Sequence, residues 1–344
     1  MYSFTNDYSE GAHPRILQAL LETNLQQVAG YGEDPFCREA AELIKAKMGR
    51  SDVDIHFIPG GTQTNLIAIS AFLRPHEAAV SPQTGHIGVH EAGAIEATGH
   101  KVIAVPGQDG KLRPEDVQAV LDFHVDEHMV KPRLVYISNT TELGSIYTKR
   151  ELMELSSFCR QHNLLLYVDG ARLGSALTSE GNDLTLADLA SMVDAFYIGG
   201  TKNGALIGEA LVICSEQLQT DFRFHIKQKG ALLAKGRLLG LQFRELFRDD
   251  LFFRLAEHAN SMANRIQRAL RSLGCRFLVD SPSNQIFPIL PNWIIAELQK
   301  DYAFYIWQQA DEEHSVVRLV TSWACPEEVV DRFIHRCTEL FQSR

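Results

Sequence analysis

Nothing in the sequence approaches a membrane span, which needs about 20 consecutive apolar residues. Basic charge is in short supply: Lys+Arg number 33 against 43 Asp+Glu, a formal net charge of −10. That balance argues against nucleic acid and anionic membrane surfaces as partners, because neutralising phosphates needs a basic face. Paired cysteines are missing too. Cys37, Cys159, Cys214, Cys275, Cys325 and Cys337 are scattered, with no Cys-x-x-Cys. A zinc ribbon is thereby excluded, and reduced thiols in a cytoplasmic setting are expected. The segment Met1–Asp7 has neither the basic nor the apolar region of a signal peptide. Internal repeats and low-complexity tracts are absent, as are G-x-x-x-x-G-K-[ST], G-x-G-x-x-G and H-E-x-x-H. P-loop, Rossmann and zincin chemistries are set aside with them.

What is present is a chain of 344 residues, 45% hydrophobic and 22% charged, ample for a buried core in one or two domains. Strand and helix signals alternate along it. Asp34 caps a helix with Pro35 at its first position, ending before Gly49. Asp54–Pro59 reads as a strand, Gly60-Gly61 breaks it, and a helix runs from about Thr62 to Leu73. Lys101–Val105 is a strand, and a turn at Gln108-Asp109-Gly110 leads to a helix from Pro114. Leu134–Ser138 is a β-branched strand, and Thr148 with Glu151 forms a capping box opening a helix to about His162. Leu164–Asp169 is a continuous apolar strand, the pattern of burial on both faces. Asp194–Ile198 and Glu209–Cys214 follow as strands. This alternation implies an α/β fold with a mostly parallel central sheet and helices on both faces. After Phe247 the pattern changes to a long helix (Leu251–Leu273), three strand-like stretches (Arg276–Val279, Gln285–Leu290, Val316–Ser322) and a last helix from Pro326 to about Phe341. The expected division is an N-terminal segment (1–25), a large domain (26–247) and a small C-terminal α+β domain (248–344).

In open α/β sheets, ligands bind where strands end and connections diverge, and four segments fall at such ends. Gly60-Gly61-Thr62 lets backbone approach an anion beside the free N–H groups of a helix start; taken alone it is equally a turn with an N-cap. Asp169, in Tyr167-Val168-Asp169-Gly170-Ala171-Arg172, leaves the most apolar strand, where a cationic ring or a structural arginine must meet it. Lys202, in Gly199-Gly200-Thr201-Lys202-Asn203-Gly204, is either an exposed loop lysine or one with room beside it for a planar group. His86 and His90 suit a structural pair, an imidazole facing a cofactor, or two metal ligands. No third ligand at a recognisable spacing accompanies them, so no metal is expected. One cofactor uses all four features: pyridoxal phosphate needs a phosphate cradle, a carboxylate for its ring nitrogen, a lysine for covalent attachment and often a ring stacked on its face.

At these residues the sequence resembles the threonine aldolase and β-eliminating lyase group of fold-type I pyridoxal-phosphate enzymes, over nearly the whole chain. Asn6-Asp7, Tyr31–Pro35, Gly61–Asn65, His86 with Glu91-Ala92-Gly93, Asp169–Arg172, Lys202 and Arg318–Thr321 match in order. Ser138–Gly144 and Thr201–Gly204 look nearer to the low-specificity branch. The resemblance implies the fold-type I transferase-like architecture and a set of roles. Lys202 would hold the cofactor covalently. Gly61 and Thr62 would bind its phosphate, with Lys235 reaching in from a partner subunit. Asp169 would pair with the ring nitrogen, and His86 would stack on the ring and serve as catalytic base. Arg172, beside the cofactor, and Arg318 would grip the substrate carboxylate, a task that suits bidentate arginine, with Asn6 adding a hydrogen bond. Tyr31 would enter the neighbouring subunit's site, which makes a homodimer or homotetramer with shared sites the expected assembly. The implied reaction is retro-aldol cleavage of a β-hydroxy-α-amino acid, threonine or allo-threonine, to glycine and an aldehyde. One position departs from the pattern: a histidine usual after Asn-Thr is here Thr141. A hydroxyl cannot supply an imidazole's base function near neutral pH, so the proton acceptor and the preference at Cβ stay open. A β-eliminating lyase with another substrate is the alternative, and a non-catalytic ligand-binding relative the remote one.

Overall fold

The computed structural model describes residues 1–343. Seven strands form the central sheet: β1 (Asp54–Ile58), β2 (Glu77–Pro82), β3 (Val102–Val105), β4 (Lys131–Ser138), β5 (Leu165–Asp169), β6 (Ala195–Gly199) and β7 (Glu209–Ile213). Their spatial order is β1-β7-β6-β5-β4-β2-β3. All neighbouring pairs are parallel except those of β7, which runs antiparallel to both β1 and β6. The mostly parallel sheet expected from the β-α alternation is present. β2 is the strand the sequence hides: Glu-Ala-Ala-Val-Ser-Pro is poor in β-formers, and pairing with β3 and β4 on either side supplies what propensity does not.

Alternate residues of the buried strands serve two cores. Val135, Ile137, Leu166, Val168, Phe196 and Ile198 face a layer that includes helix α1 (Pro35–Met48). Leu134, Tyr136, Leu165, Tyr167, Ala195 and Tyr197 face helix α2 (Gly61–Phe72) on the other side. α1 begins as its sequence dictates, with the Asp34 carboxylate accepting from Cys37 N–H and Pro35 at the first position, and ends on left-handed Gly49. Helix α3 (Lys149–Gln161) starts on the expected Thr148–Glu151 capping box. Helix α4 (Arg237–Phe247) leads into the 22-residue helix α5 (Leu251–Ser272).

A second, antiparallel sheet follows: β8 (Arg276–Phe277), β9 (Gln285–Ile286), β10 (Pro288–Pro291), β11 (Tyr305–Gln309) and β12 (His314–Val320), with helix α6 (Glu327–Gln342). It has its own core, built from α5, α6 and the strands. The beginning of the chain belongs to this core physically. Tyr2–Ser3 pairs in parallel with Tyr302–Ala303, and Phe4 packs edge-on against Phe333. From there the chain passes along the carboxyl edge of the central sheet.

Candidate active site

Register places the chemistry on one edge. Ser138 at the end of β4 lies opposite Asp169 at the end of β5. Gly199 at the end of β6 and Ile58 at the end of β1 both lie opposite Glu209, the first residue of β7. The loops that follow enclose a cavity of about 320 Å³, lined among others by Gly61, Thr62, His86, Asp169, Arg172 and Lys202. Gly170 is required where β5 turns toward Arg172, since a Cβ there would stand 1.8 Å from the Tyr197 carbonyl oxygen.

Asp169 is buried at the floor and held from several sides. Tyr136 donates to Oδ2 and Tyr197 to Oδ1, both at 2.6 Å; Asn65 Nδ2 donates to Oδ2 at 3.1 Å and Ala171 N–H to Oδ1 at 3.0 Å. Burial alone would push this carboxyl upward, but the two tyrosine bonds and the nearby His86 outweigh it and keep it below the usual carboxylate range. The network continues outward. Tyr167 donates to Asn65 Oδ1, Asn65 donates to Glu91 Oε1 at 2.7 Å, and the same oxygen meets His86 Nδ1 at 2.8 Å. Burial pulls His86 down, yet Glu91, Glu142 and Asp169 together move it up on balance.

Lys202 follows β6 and is enclosed, its Nζ 6.0 Å from the centre of the Tyr8 ring. Burial and the Arg172 charge lower its pKa, which favours the neutral, nucleophilic amine. Glu209, beside it in the lining, accepts from Gly200 N–H at 3.0 Å, and burial pushes its carboxyl up to about 8. Across the cavity, α2 starts at Gly61 on an N-cap, Gly60, that has no side chain to bond the first turn. Its N–H groups therefore face the cavity uncapped, a site for an anion. A Cβ on Gly61 would come within 3.2 Å of Tyr197 Oη.

Arg172 makes two bonds to Asp7, Nε to Oδ2 at 2.7 Å and Nη2 to Oδ1 at 3.0 Å, and Asn284 Nδ2 donates to Asp7 Oδ2. Burial would lower the guanidinium, but Asp7 holds it above its ordinary value. Arg318 on β12 is bonded through Nε and Nη2 to Gln285 Oε1. Burial and the Arg172 charge bring it down to about 10.

Four expected site residues stay outside this cavity lining: Arg318, held by Gln285, and Asn6, Tyr31 and Lys235. Asn6 Oδ1 is occupied by Tyr8 N–H and Ser9 Oγ, and it is the next residue, Asp7, that reaches Arg172. Tyr31, with φ 57°, is partly exposed in another groove, with Lys227 Nζ 4.7 Å from its ring centre. Lys235 is exposed. Thr141 turns away, its Oγ1 2.8 Å from Ser145 Oγ, while Thr140 and Glu142 on either side line the cavity. His90 is exposed with its ring 5.5 Å from that of His86, and no cluster of three metal-ligating side chains exists among the described residues.

The lining residues fit pyridoxal phosphate. An uncapped helix start suits its phosphate, an aspartate kept ionised suits a protonated ring nitrogen, and a half-buried amine of lowered pKa suits covalent attachment. Residues 8–289 match the sequence model of the beta-eliminating lyases. The chain belongs to the beta-eliminating lyase family. Within reach of that family, the low specificity L-threonine aldolase of Pseudomonas aeruginosa is 30% identical over 300 residues, 86% of this chain and 84% of the relative. The enzyme of the same name from Pseudomonas sp. is 32% identical over 302 residues, again 86% and 84%. The threonine aldolase structure of Leishmania major superimposes with a TM-score of 0.98 at 52% identity, covering 99% of this chain and 100% of that one. A Thermus thermophilus aspartate aminotransferase, 17% identical with a TM-score of 0.72 over 98% of this chain and 91% of that one, shares the fold.

The family's sequence signature leaves out much of what holds the site. Tyr136, Tyr167 and Tyr197 each stand two residues before the end of a strand, in Tyr-Ile-Ser, Tyr-Val-Asp and Tyr-Ile-Gly. That repeat was a readable signal for a polar floor. Glu209 gave none, because a glutamate opening a strand reads as a surface residue until β1 and β6 close over it.

Proposed function

We propose that this protein cleaves β-hydroxy-α-amino acids, threonine or allo-threonine, at Cα–Cβ to give glycine and an aldehyde, with pyridoxal phosphate as cofactor. The reading is carried by one convergence: enclosed Lys202, the Asp169 floor and the uncapped start of α2 surround a single cavity. The likeness to threonine aldolases from Pseudomonas and Leishmania supports this substrate class.

Each residue then has a task that its surroundings favour. Gly61 and Thr62 hold the cofactor phosphate through backbone N–H groups and the threonine hydroxyl. Asp169 holds a proton on the ring nitrogen, and the tyrosines keep the aspartate ionised while it does so. When bound, pyridoxal phosphate supplies an electron-accepting ring that takes up the charge released at Cα. Lys202, enclosed and of lowered pKa, would hold the cofactor covalently. His86, oriented by Glu91, lines the cavity where it would stack on the ring. Arg172, with one edge fixed by Asp7, offers its remaining donors to the substrate carboxylate, and Arg318 adds positive charge behind it. Tyr31 and Lys235, outside this chain's own cavity, serve a neighbouring copy in a homodimer or homotetramer. No helix among the described residues is long and apolar enough to cross a membrane, and the six cysteines are free, which accords with a reducing compartment.

The test is direct. Purified protein with cofactor is given threonine, allo-threonine and phenylserine, and glycine and aldehyde are measured. Release of both from at least one supports the reading. Pyruvate from serine, with no glycine from any of the three, replaces it with the β-eliminating lyase.

A further inference from the structure

The cavity contains an acid that the roles above do not use. Glu142, in the loop after β4, lines it and is only half-buried. Every other carboxylate nearby is engaged: Asp169 by two tyrosines, Asp7 by Arg172, Glu91 by His86 and Asn65, and Glu209 by Gly200 N–H. Glu142 accepts one long bond, from Ser138 Oγ at 3.4 Å, and among the described residues it has no ion-pair partner. It nevertheless lies close enough for its charge to act on His86, Arg172, Lys202 and Arg318, the groups that surround a bound amino acid. The two residues before it do not compete: Thr141 faces away into its bond with Ser145, and Thr140 has no acid–base capacity near neutral pH.

His86 is poorly placed to take a proton. Nδ1 is committed to Glu91, and three carboxylates favour its charged form, which has no lone pair left to offer. We propose that Glu142 is the general base that takes the proton from the substrate's β-hydroxyl, an inference that rests on the aldolase reading above. In that step the O–H bond breaks and its proton passes to the Glu142 carboxylate. The C–O bond becomes the C=O of the departing aldehyde, and the Cα–Cβ bond breaks. The electron pair of that bond stays with Cα, which takes up one proton to become glycine. Atoms and electrons balance without a co-reactant.

The experiment compares the loaded wild-type enzyme with Glu142→Gln and Glu142→Asp. It measures threonine cleavage, exchange of the glycine α-hydrogen with D2O by NMR, and glycine affinity by absorbance titration. Exchange needs the same site and cofactor but no hydroxyl proton transfer. Expected for Glu142→Gln is a fall in kcat on threonine of about 10²- to 10⁴-fold, the range of a lost general base. Glycine exchange and glycine affinity should stay within about threefold of wild type, and Glu142→Asp should recover part of the cleavage rate. Undiminished cleavage by Glu142→Gln overturns the proposal, and so does a parallel collapse of glycine exchange. If wild-type enzyme exchanges glycine but releases aldehyde from no β-hydroxy amino acid, the aldolase reading fails and takes the proposal with it. A normal wild type beside an unaffected variant removes Glu142 alone.

Discussion

Arg172 and Asp7, 165 positions apart, are joined by two hydrogen bonds at 2.7 and 3.0 Å, and both side chains are almost wholly buried. Asp7 thus fixes the rotamer of the arginine that faces the cavity. Removing it leaves a buried guanidinium uncompensated, which for such pairs costs about 3–5 kcal/mol of stability. Asp7→Ala should lower the urea midpoint accordingly and raise KM for threonine more than it lowers kcat. An unchanged midpoint would show that the pair contributes nothing to the fold.

Lys202→Ala should abolish amino-acid cleavage outright. In wild-type protein with cofactor, borohydride reduction followed by peptide mass spectrometry should place the label on Lys202. A label on any other lysine removes Lys202 from its role.

Tyr136→Phe and Tyr197→Phe each delete one bond to the Asp169 carboxylate. A hydrogen bond to a charged group contributes about 1.5–3 kcal/mol, and its loss lets burial raise the aspartate. Cofactor affinity should weaken by about tenfold or more in each variant, measured by equilibrium titration at neutral pH. If both variants bind as wild type does, the tyrosines are structural fillers.

Glu209 sets a pH dependence with a definite sign. Its folded-state value of about 8 lies above the ordinary 4.5, so the folded chain binds this proton more tightly than the unfolded chain. The contribution is fully present below 4.5 and is lost as pH rises through about 8. Lys202, Asp169, Tyr167 and Tyr197 are the titratable groups that interact with it. Glu209→Gln, neutral at every pH, should gain stability relative to wild type as pH increases from about 5.5 to 8.5. Urea midpoints of the cofactor-free proteins read this directly, and a pH-independent difference would contradict it.

Local chemistry made much of this molecule legible in advance. Asp34-Pro35, the Thr148–Glu151 box and the unbroken apolar run to Asp169 state their structures within a few residues, and all three formed as read. Lys202, His86, Arg172 and the Gly61-Thr62 turn came together because each follows or opens a strand-end connection at the same edge. What stayed hidden depends on partners far along the chain. β2 is held by neighbours on both sides, and Glu209 owes its burial to β6 just before it and to the distant β1. Asp7 gives no signal of its role in the sequence, because its pairing with Arg172, 165 positions away, appears only in the fold. Thr141 drew attention as a missing imidazole, and the side chain that faces the cavity is the next one.

The pairing of Tyr2–Ser3 with Tyr302–Ala303 has a consequence for the making of the protein. A ribosome makes residues 2–7 long before residues 302–303, so the segment that carries Asp7 must wait for its strand partner. Until residue 302 has left the exit tunnel, Phe4 lacks Tyr302 and the rest of its core. The central sheet is complete by Ile213, so its strands can pair while the segment bearing Asp7 still lacks its anchor.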